Sequence, residues 1–257
     1  MAIRLAFFDI DGTLLPFGAE ELSPGVRAAL QALRRRGIGV FAATGRPPYL
    51  VPRFRGLNWD GLICFNGGYC RDGDRVVFAR PIEKEDVRRV TANAKAMGLP
   101  VNLAAGDRMG CNFHQPELDE FIGFARRPAE VPEDFDGLME EDIFQIMVAV
   151  RRDQEERLFR GTKGVKAERW WPKAIDVVPS ACSKAEGVRR ILEGRSLQAE
   201  DCIAFGDGGN DVDMIRCAGI GVAMGNARDD VKAAADYVTL DAAQDGVAVA
   251  LVHLGLV

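Results

Sequence analysis

The chain has 257 residues, of which 28% are charged and 47% hydrophobic, and its formal net charge is −5 at pH 7. Its length allows two domains, and the net acidic balance argues against a nucleic-acid partner. The apolar runs are too short to cross a bilayer, and no signal peptide precedes the first strand. We therefore expect no membrane partner. Because the six cysteines show no CxxC pair or regular spacing, we expect free thiols and a cytoplasmic protein.

Buried strands and amphipathic helices alternate along the first part of the chain. A strand is predicted at Leu5 to Phe8, and Ser23 caps a helix that ends at Gly37. Strands at Ile38 to Ala43 and Leu62 to Phe65 follow. This alternation is typical of a parallel α/β sheet.

The pattern changes near residue 82. A helix is predicted at Lys84 to Met97, a strand at Pro100 to Leu103 and a long apolar strand at Ile143 to Val150. Between Gly106 and Glu141 the pattern is weak. The chain therefore leaves the first sheet and builds a separate unit.

Beyond Ser183 the regular alternation returns. The predicted elements are a helix to Leu192, strands at Cys202 to Phe205, Ile220 to Ala223 and Tyr237 to Thr239, and helices at Asp211 to Cys217, Asp229 to Ala235 and Gly246 to Leu254. We predict a core domain of residues 1–82 and 181–257, interrupted by an inserted domain of residues 83–180.

Two carboxylates follow the first strand, at Asp9 and Asp11, and Gly12 lets the chain turn. Two anions this close are costly unless a cation or a proton offsets their repulsion. The arrangement suits a hard cation such as Mg²⁺, with one carboxylate left for chemistry. The alternative is that Asp11-Gly12-Thr13 is only a turn or a helix cap.

Two further segments carry groups that can bind phosphate. Thr44-Gly45-Arg46 follows the second strand, where a hydroxyl and a backbone N–H can donate to phosphate oxygens. Lys184 lies where a helix begins and can place its ammonium group on an anion. Each signal alone is weak, since turns and solvated lysines are common.

The segment Gly206–Asp211 is more specific. A buried strand ends in Asp207, and three glycines allow the backbone to approach a ligand closely. Asp207 is placed as a metal ligand, while Asn210 and Asp211 can orient the site through hydrogen bonds. Because ligands bind beyond the carboxyl ends of the strands in an open parallel sheet, we expect all these segments to converge.

These segments resemble, in the same order, the four motifs of the haloacid dehalogenase (HAD) superfamily. Finer details resemble its Cof-type phosphatase branch (type IIB, with a large C2 cap), namely Leu14-Leu15, Asn66-Gly67-Gly68, Met214 and Val222–Ala227. One departure is Ala185, where many members place a glycine. The resemblance runs from Ile3 to about Leu240, and it implies a Rossmann-like parallel-sheet core with an inserted mixed α/β cap that selects the substrate.

The four segments support the hypothesis of a Mg²⁺-dependent phosphatase that transfers the phosphoryl group of a small-molecule phosphate ester to water through an aspartyl-phosphate. In this hypothesis Asp9 is the nucleophile and Asp11 the general acid and base. The metal ligands are Asp9, Asp11 through its carbonyl, Asp207 and Asp211, the last through water. The phosphate-binding residues are Thr44, Gly45, Arg46, Lys184 and Asn210.

Other residues and other functions stay open at this point. Asn66 is a candidate for lining the pocket, and Arg108, Asn112 and His114 are candidates for meeting the leaving group. Trp170-Trp171 is expected to pack the inserted domain on the core. The alternatives to a phosphatase are a phosphomutase and a phospho-accepting signalling or binding module. The motifs do not choose among sugar phosphates, nucleotides and cofactor phosphates, and they leave the oligomeric state open.

Overall fold

A computed structural model of the protein describes residues 3–124 and 128–257. It divides into two compact units. The first unit contains the chain up to Gly45 together with Val51–Ala79 and Ser183–Val257, and the second contains Arg46–Leu50 and Arg80–Cys182.

The helices and strands are numbered in chain order. The strands are β1 (Leu5–Phe8), β2 (Gly39–Ala43), β3 (Gly61–Cys64), β4 (Tyr69–Asp72), β5 (Arg75–Ala79), β6 (Val101–Ala104), β7 (Met109–Cys111), β8 (Gln145–Val148), β9 (Val165–Trp171), β10 (Ala174–Pro179), β11 (Cys202–Gly206), β12 (Ile220–Ala223) and β13 (Tyr237–Val238). The helices are α1 (Pro24–Arg35), α2 (Lys84–Ala96), α3 (Pro116–Gly123), α4 (Phe135–Met139), α5 (Glu155–Leu158), α6 (Lys184–Gly194), α7 (Val212–Cys217), α8 (Asp229–Lys232) and α9 (Gly246–His253).

The first unit is built on an eight-stranded sheet with the order β13-β12-β11-β1-β2-β3-β4-β5. The pairs from β13 to β3 are parallel, and β4 and β5 add an antiparallel edge. In the central register Phe7 lies between Ala204 of β11 and Phe41 of β2. This sheet confirms the predicted parallel α/β core.

Helix α1 shows how the local sequence sets the elements. The hydroxyl of Ser23 accepts from the backbone N–H of Val26 at 3.0 Å, and Pro24 occupies the first turn. Val26 and three further apolar residues at helical spacing are buried, and Arg34 and Arg35 lie in the last turn, where cations are favoured. The predicted cap and helix are therefore confirmed.

The second unit has a five-stranded antiparallel sheet with the order β7-β6-β8-β10-β9. A buried apolar cluster joins Leu103, Ile146 and Val177 of the sheet to Val87 and Val90 of α2. A second cluster joins α3 to side chains on the opposite face of the sheet, such as Met147, which neighbours Ile146 in β8. Both faces of this short sheet thus contribute to a core.

Several elements differ from their predictions. The β4–β5 hairpin, which turns at Gly73 (φ 57°), and the β9–β10 pair were not predicted. Strand β8 is shorter than predicted, and the segment with a weak pattern contains β7, α3 and α4. Trp170 and Trp171 stack on Phe121 of the same unit, with ring centroids 4.8 and 5.8 Å apart.

All six cysteines are free thiols, and five of them are buried, as expected for thiols in apolar strands and helices. Within residues 3–124 and 128–257, no helix combines the length and the apolar character that crossing a membrane requires.

Candidate active site

Three carboxylates meet at the carboxyl edge of the first sheet. Asp9 follows β1, Asp207 follows the neighbouring strand β11, and Asp211 lies one turn further along the chain. One oxygen of each lies within 4.8 Å of the others, and their residues are 7%, 9% and 0% exposed, respectively. Because β1 and β11 are adjacent and parallel, their ends deliver Asp9 and Asp207 to one place.

The ammonium group of Lys184 lies among these carboxylates. It donates to Asp9 Oδ1 at 2.6 Å and to Asp211 Oδ1 at 2.7 Å, and the residue is 1% exposed. Lys184 is the first residue of α6, whose N-terminus is capped by Ser183 through a 3.2 Å hydrogen bond to Glu186 N–H. A buried ammonium group requires charged or polar partners. The capped start of α6 places Lys184 beside the carboxylates of Asp9 and Asp211, which supply them.

The charges of the cluster perturb one another. Burial raises the pKa of Asp9 well above its usual value, and the charges of Asp211 and Asp207 add to this effect against that of Lys184. Burial and the charge of Asp211 raise the pKa of Asp207 to about 6. For Lys184 burial acts to lower the pKa, but the charges of Asp211 and Asp9 outweigh it and raise the pKa. Asp9 and Asp211 therefore share one ammonium group, and the carboxylate of Asp207 lies beside them.

Asp211 fixes the turn after β11. Its Oδ1 accepts from Lys184, and its Oδ2 accepts from the backbone N–H groups of Asp207 at 3.0 Å and Gly208 at 2.9 Å. A Cβ atom on Gly206 would overlap the Asp211 side chain, so glycine is required there. Both carboxylate oxygens of Asp211 are thus engaged within the protein.

The turn after β1 packs against Asp207. Gly12 has a φ of +90°, and a Cβ atom there would overlap the Asp207 carboxylate. The hydroxyl of Thr13 donates to Asp207 Oδ1 at 2.9 Å. The alternative of a helix cap at Asp11-Gly12-Thr13 is wrong, because the next helix, α1, begins only at Pro24. Asp11 itself is half-buried and is not part of the cluster of three carboxylates.

Asn226 was included only in the family resemblance, yet it contacts the same turn. Its Nδ2 donates to the carbonyl of Gly12 at 2.8 Å, and its Oδ1 accepts from Ala242 N–H at 2.8 Å. Thr13 and Asn226 both belong to the motifs that resemble the family. Their contacts could not be read from the sequence, because they depend on how separate strand ends pack.

Asn66 brings together the predicted phosphate-binding residues Thr44, Gly45 and Asn210. The buried Thr44 accepts from Asn66 N–H through its carbonyl at 3.1 Å. The Nδ2 of Asn210 donates to Asn66 Oδ1 at 2.9 Å, and a Cβ atom on Gly45 would lie 3.1 Å from Asn66 Nδ2. Segments from three strand ends are thereby joined.

The other candidates belong to the second unit, where each has a polar partner. Arg46 Nη1 donates to Leu50 O at 3.2 Å, and Arg108 forms an ion pair with Glu141. Asn112 Oδ1 accepts from Val101 N–H at 2.9 Å. His114 Nδ1 lies 3.2 Å from Asp119 Oδ1. Their roles in binding phosphate or a leaving group stay predictions.

The donor set of the cluster suits a divalent cation. Three carboxylates and one ammonium group leave two negative charges when all are ionised. All the candidate ligand atoms are oxygens, the donors preferred by hard cations such as Mg²⁺ and Mn²⁺. The residues present therefore fit a divalent metal.

Several known proteins are similar to this chain in sequence and in fold over nearly its whole length and their own. The sequence profile of the haloacid dehalogenase-like hydrolases matches residues 6–251. YkrA of Bacillus subtilis (strain 168) is 35% identical over 100% of this chain and 99% of its own, and pyridoxal phosphate phosphatase YbhA of Escherichia coli (strain K12) is 27% identical over 96% and 97%. The HAD subclass IIB sugar phosphatase BT4131 is 30% identical and superposes with a TM-score of 0.87 over 99% of this chain and all of its own.

The profile match, the relatives and the shared fold agree with the order of the four motifs. They also agree with the cluster of acidic residues at the carboxyl edge of the parallel sheet. The chain therefore belongs to the haloacid dehalogenase-like hydrolases, in the branch of the subclass IIB phosphatases that its motifs predicted.

Proposed function

We propose that this protein is a Mg²⁺-dependent phosphatase that hydrolyses small phosphate monoesters through an aspartyl-phosphate on Asp9. The observation that carries the proposal is the contact of Asp9 with the buried ammonium group of Lys184, beside Asp207 and Asp211. A buried carboxylate held by a lysine at a strand end is a suitable nucleophile for an electron-poor phosphorus atom.

The reaction begins at Asp9. One carboxylate oxygen attacks phosphorus while the bond from phosphorus to the leaving-group oxygen breaks, which leaves the phosphoryl group on Asp9. The hydrogen bond from Lys184 to Asp9 Oδ1 supports this role, because it orients the carboxylate and offsets its charge.

Asp11 acts as the general acid and then as the general base. It protonates the leaving oxygen in the first step, and in the second step it takes a proton from the water that attacks phosphorus. The second step releases inorganic phosphate and free Asp9. The position of Asp11 two residues after the nucleophile, outside the cluster of three carboxylates, supports a role apart from theirs.

The non-bridging phosphate oxygens are bound by the hydroxyl of Thr44, the N–H of Gly45, Lys184 and Asn210, with Arg46 as a further candidate. The link from Thr44 through Asn66 to Asn210 supports this assignment, since it holds the two segments at one location.

Asp9, Asp207 and the carbonyl of Asp11 would hold Mg²⁺, with Asp211 acting indirectly because both of its oxygens accept other hydrogen bonds. When bound, the ion keeps Asp9 ionised and neutralises charge on the phosphate. The pKa of Asp9, raised by burial, supports a requirement for a further cation in the cluster.

We further propose sugar phosphates or similar metabolites as substrates, with residues 83–180 as the domain that selects among them. The proposal of a sugar phosphate rests on the likeness to BT4131, a sugar phosphatase. The name of YbhA makes pyridoxal phosphate a second substrate to include in a screen.

The test is hydrolysis of p-nitrophenyl phosphate by the wild-type protein with Mg²⁺, by the same protein with EDTA, and by Asp9→Asn. We expect turnover only in the first arm, with all proteins folded by circular dichroism. Turnover by Asp9→Asn at the wild-type rate would contradict the assignment of the nucleophile, and full activity in EDTA would contradict the metal.

A further inference from the structure

Asn66 has an unusual backbone for a buried asparagine. It is 2% exposed and has a φ of 52°, and the preceding Phe65 has a φ of 50°. Two successive non-glycine residues in the left-handed region are uncommon, although asparagine tolerates this region better than most residues. Such strain persists only where the surroundings fix it, and it concentrates at functional sites.

The surroundings of this turn do fix it. The N–H of Asn66 donates to the carbonyl of Thr44, and Gly67 (φ 95°) packs so closely on Ser183 that a Cβ atom would overlap the Ser183 carbonyl. Ser183 in turn caps α6, which begins with Lys184. The turn is thus held between Thr44 and the start of the helix that carries Lys184.

The amide group of Asn66 is only half used by the protein. Its Oδ1 accepts from Asn210 Nδ2 at 2.9 Å. Its Nδ2 has no hydrogen-bond acceptor in the part of the chain that the structure describes. This Nδ2 lies beside Gly45, where a Cβ atom would approach it to 3.1 Å, so the absence of a side chain at Gly45 leaves it uncovered. The Nδ2 group can therefore donate to an acceptor that a ligand brings to this side of Asn66.

We propose that Asn66 is a further phosphate-binding residue, whose Nδ2 donates to a phosphoryl oxygen of the substrate while its Oδ1 orients Asn210 toward the same group. The inference rests on the proposed phosphatase function and adds a ligand to it. It accounts for a strained, buried residue with an unpartnered donor between two segments proposed to bind phosphate.

Two variants separate this role from a structural one. Asn66→Asp keeps an acceptor for Asn210 and the shape of the side chain, but it replaces the Nδ2 donor with a negative oxygen. Asn66→Gly removes the side chain and relieves the left-handed strain. Ser196→Gly is the matched control, because Ser196 is exposed and also left-handed, with a φ of 55°.

The readouts are the inhibition constant of inorganic phosphate against p-nitrophenyl phosphate, the calorimetric affinity for phosphate with Mg²⁺, and thermal stability. We expect phosphate affinity to fall roughly 10-fold in Asn66→Gly and about 100-fold or more in Asn66→Asp, from lost donation and added repulsion. Ser196→Gly should match wild type, and Asn66→Gly should still unfold cooperatively, because the relieved strain offsets part of the lost hydrogen bond from Asn210.

Wild-type phosphate affinity in both Asn66 variants would overturn the inference while leaving the proposed function intact, provided that hydrolysis by wild type still depends on Asp9. Wild-type protein that neither hydrolyses phosphate esters nor binds phosphate would overturn both. Should Asn66→Asp fail to fold, Asn66→Gly alone decides, and unchanged phosphate affinity in that variant overturns the inference.

Discussion

Each unit of the molecule buries carboxylate groups, but the two units compensate them differently. In the first unit Asp9 and Asp211 share the ammonium group of Lys184. In the second unit Asp176 of β10 is 4% exposed and accepts only neutral donors, Gln145 Nε2 at 2.7 Å and Trp170 Nε1 at 3.2 Å. Within the described residues it forms no ion pair with a basic side chain.

The two groups of buried carboxylates differ in the cation that can neutralise them. Burial raises the pKa of Asp176 to about 7, because its hydrogen bonds from Trp170 and Gln145 offset only part of the loss of solvation. A proton can therefore satisfy Asp176 near neutral pH. The cluster in the first unit holds a fixed cation and still has excess negative charge, which suits a metal ion rather than a proton.

Removing the fixed cation should have the largest effect. Lys184→Met leaves Asp9 and Asp211 buried without their partner, so we expect the free energy of unfolding to fall by about 3–5 kcal/mol and phosphatase activity to vanish. Urea unfolding followed by circular dichroism measures the first effect. Lys173→Met is the control, because its pair with Glu120 is exposed and should contribute less than about 1 kcal/mol. Equal losses in the two variants would contradict the account.

Neutralising Asp176 should remove a pH dependence of stability. Its pKa rises from 3.8 to about 7 on folding, so between these values the folded state keeps a proton that the unfolded state has lost. Stability therefore falls as the pH rises through this window, by up to about 4 kcal/mol, and the loss persists at higher pH. Asp176→Asn should lack this loss.

The measurement is the difference in unfolding free energy between Asp176→Asn and wild type at pH 4 and pH 8. The variant should gain on wild type as the pH rises. A difference that stays constant over this range would show that Asp176 remains ionised in the folded protein.

Loosening a candidate metal ligand should have a smaller effect. Thr13→Val removes the hydrogen bond to Asp207, so we expect the Mg²⁺ concentration for half-maximal activity to rise about 10-fold. Thr162→Val removes a comparable hydroxyl contact, to Phe159 O, in the second unit and is the matched control. An unchanged Mg²⁺ requirement in Thr13→Val would argue against Asp207 as a ligand.

The smallest expected effect concerns a helix cap in the first unit. Ser23→Ala removes the hydrogen bond to Val26 N–H and should lower the free energy of unfolding by about 1 kcal/mol. Because α1 carries none of the proposed site residues, kcat and KM should stay at their wild-type values. A large loss of activity would show that the site is coupled to this helix end.

The convergence of Asp9, Asp207 and Lys184 could be predicted because simple rules govern it. Buried apolar strands can be recognised in the sequence, and the carboxyl ends of parallel strands lie at the same edge of the sheet. Lys184 lies at the start of a helix. The sheet of the first unit was predicted from the same signals, whereas the family was predicted from the resemblance of the four motifs.

Other features depend on packing between segments that are distant in the chain, and such packing cannot be predicted from a single sequence. The β4–β5 hairpin escaped prediction because β5 is a largely exposed edge strand without a clean apolar alternation. The left-handed turn at Asn66 is fixed by contacts with Thr44 and Ser183, more than 20 and 100 residues away in sequence. Each turn contains a glycine, Gly73 or Gly67, which indicates a turn but not the distant residues that pack against it.

The most direct test of the central claim is to locate the phosphoryl group during turnover. Asp11→Asn should accumulate the intermediate, because Asp9 can still attack p-nitrophenyl phosphate, whose leaving group needs no acid, while water lacks its base. After an acid quench, peptide mass spectrometry should find one phosphoryl group on the peptide at Asp9, and Asp9→Asn should carry none. Release of p-nitrophenol by Asp11→Asn with no phosphoryl group at Asp9 would contradict the account.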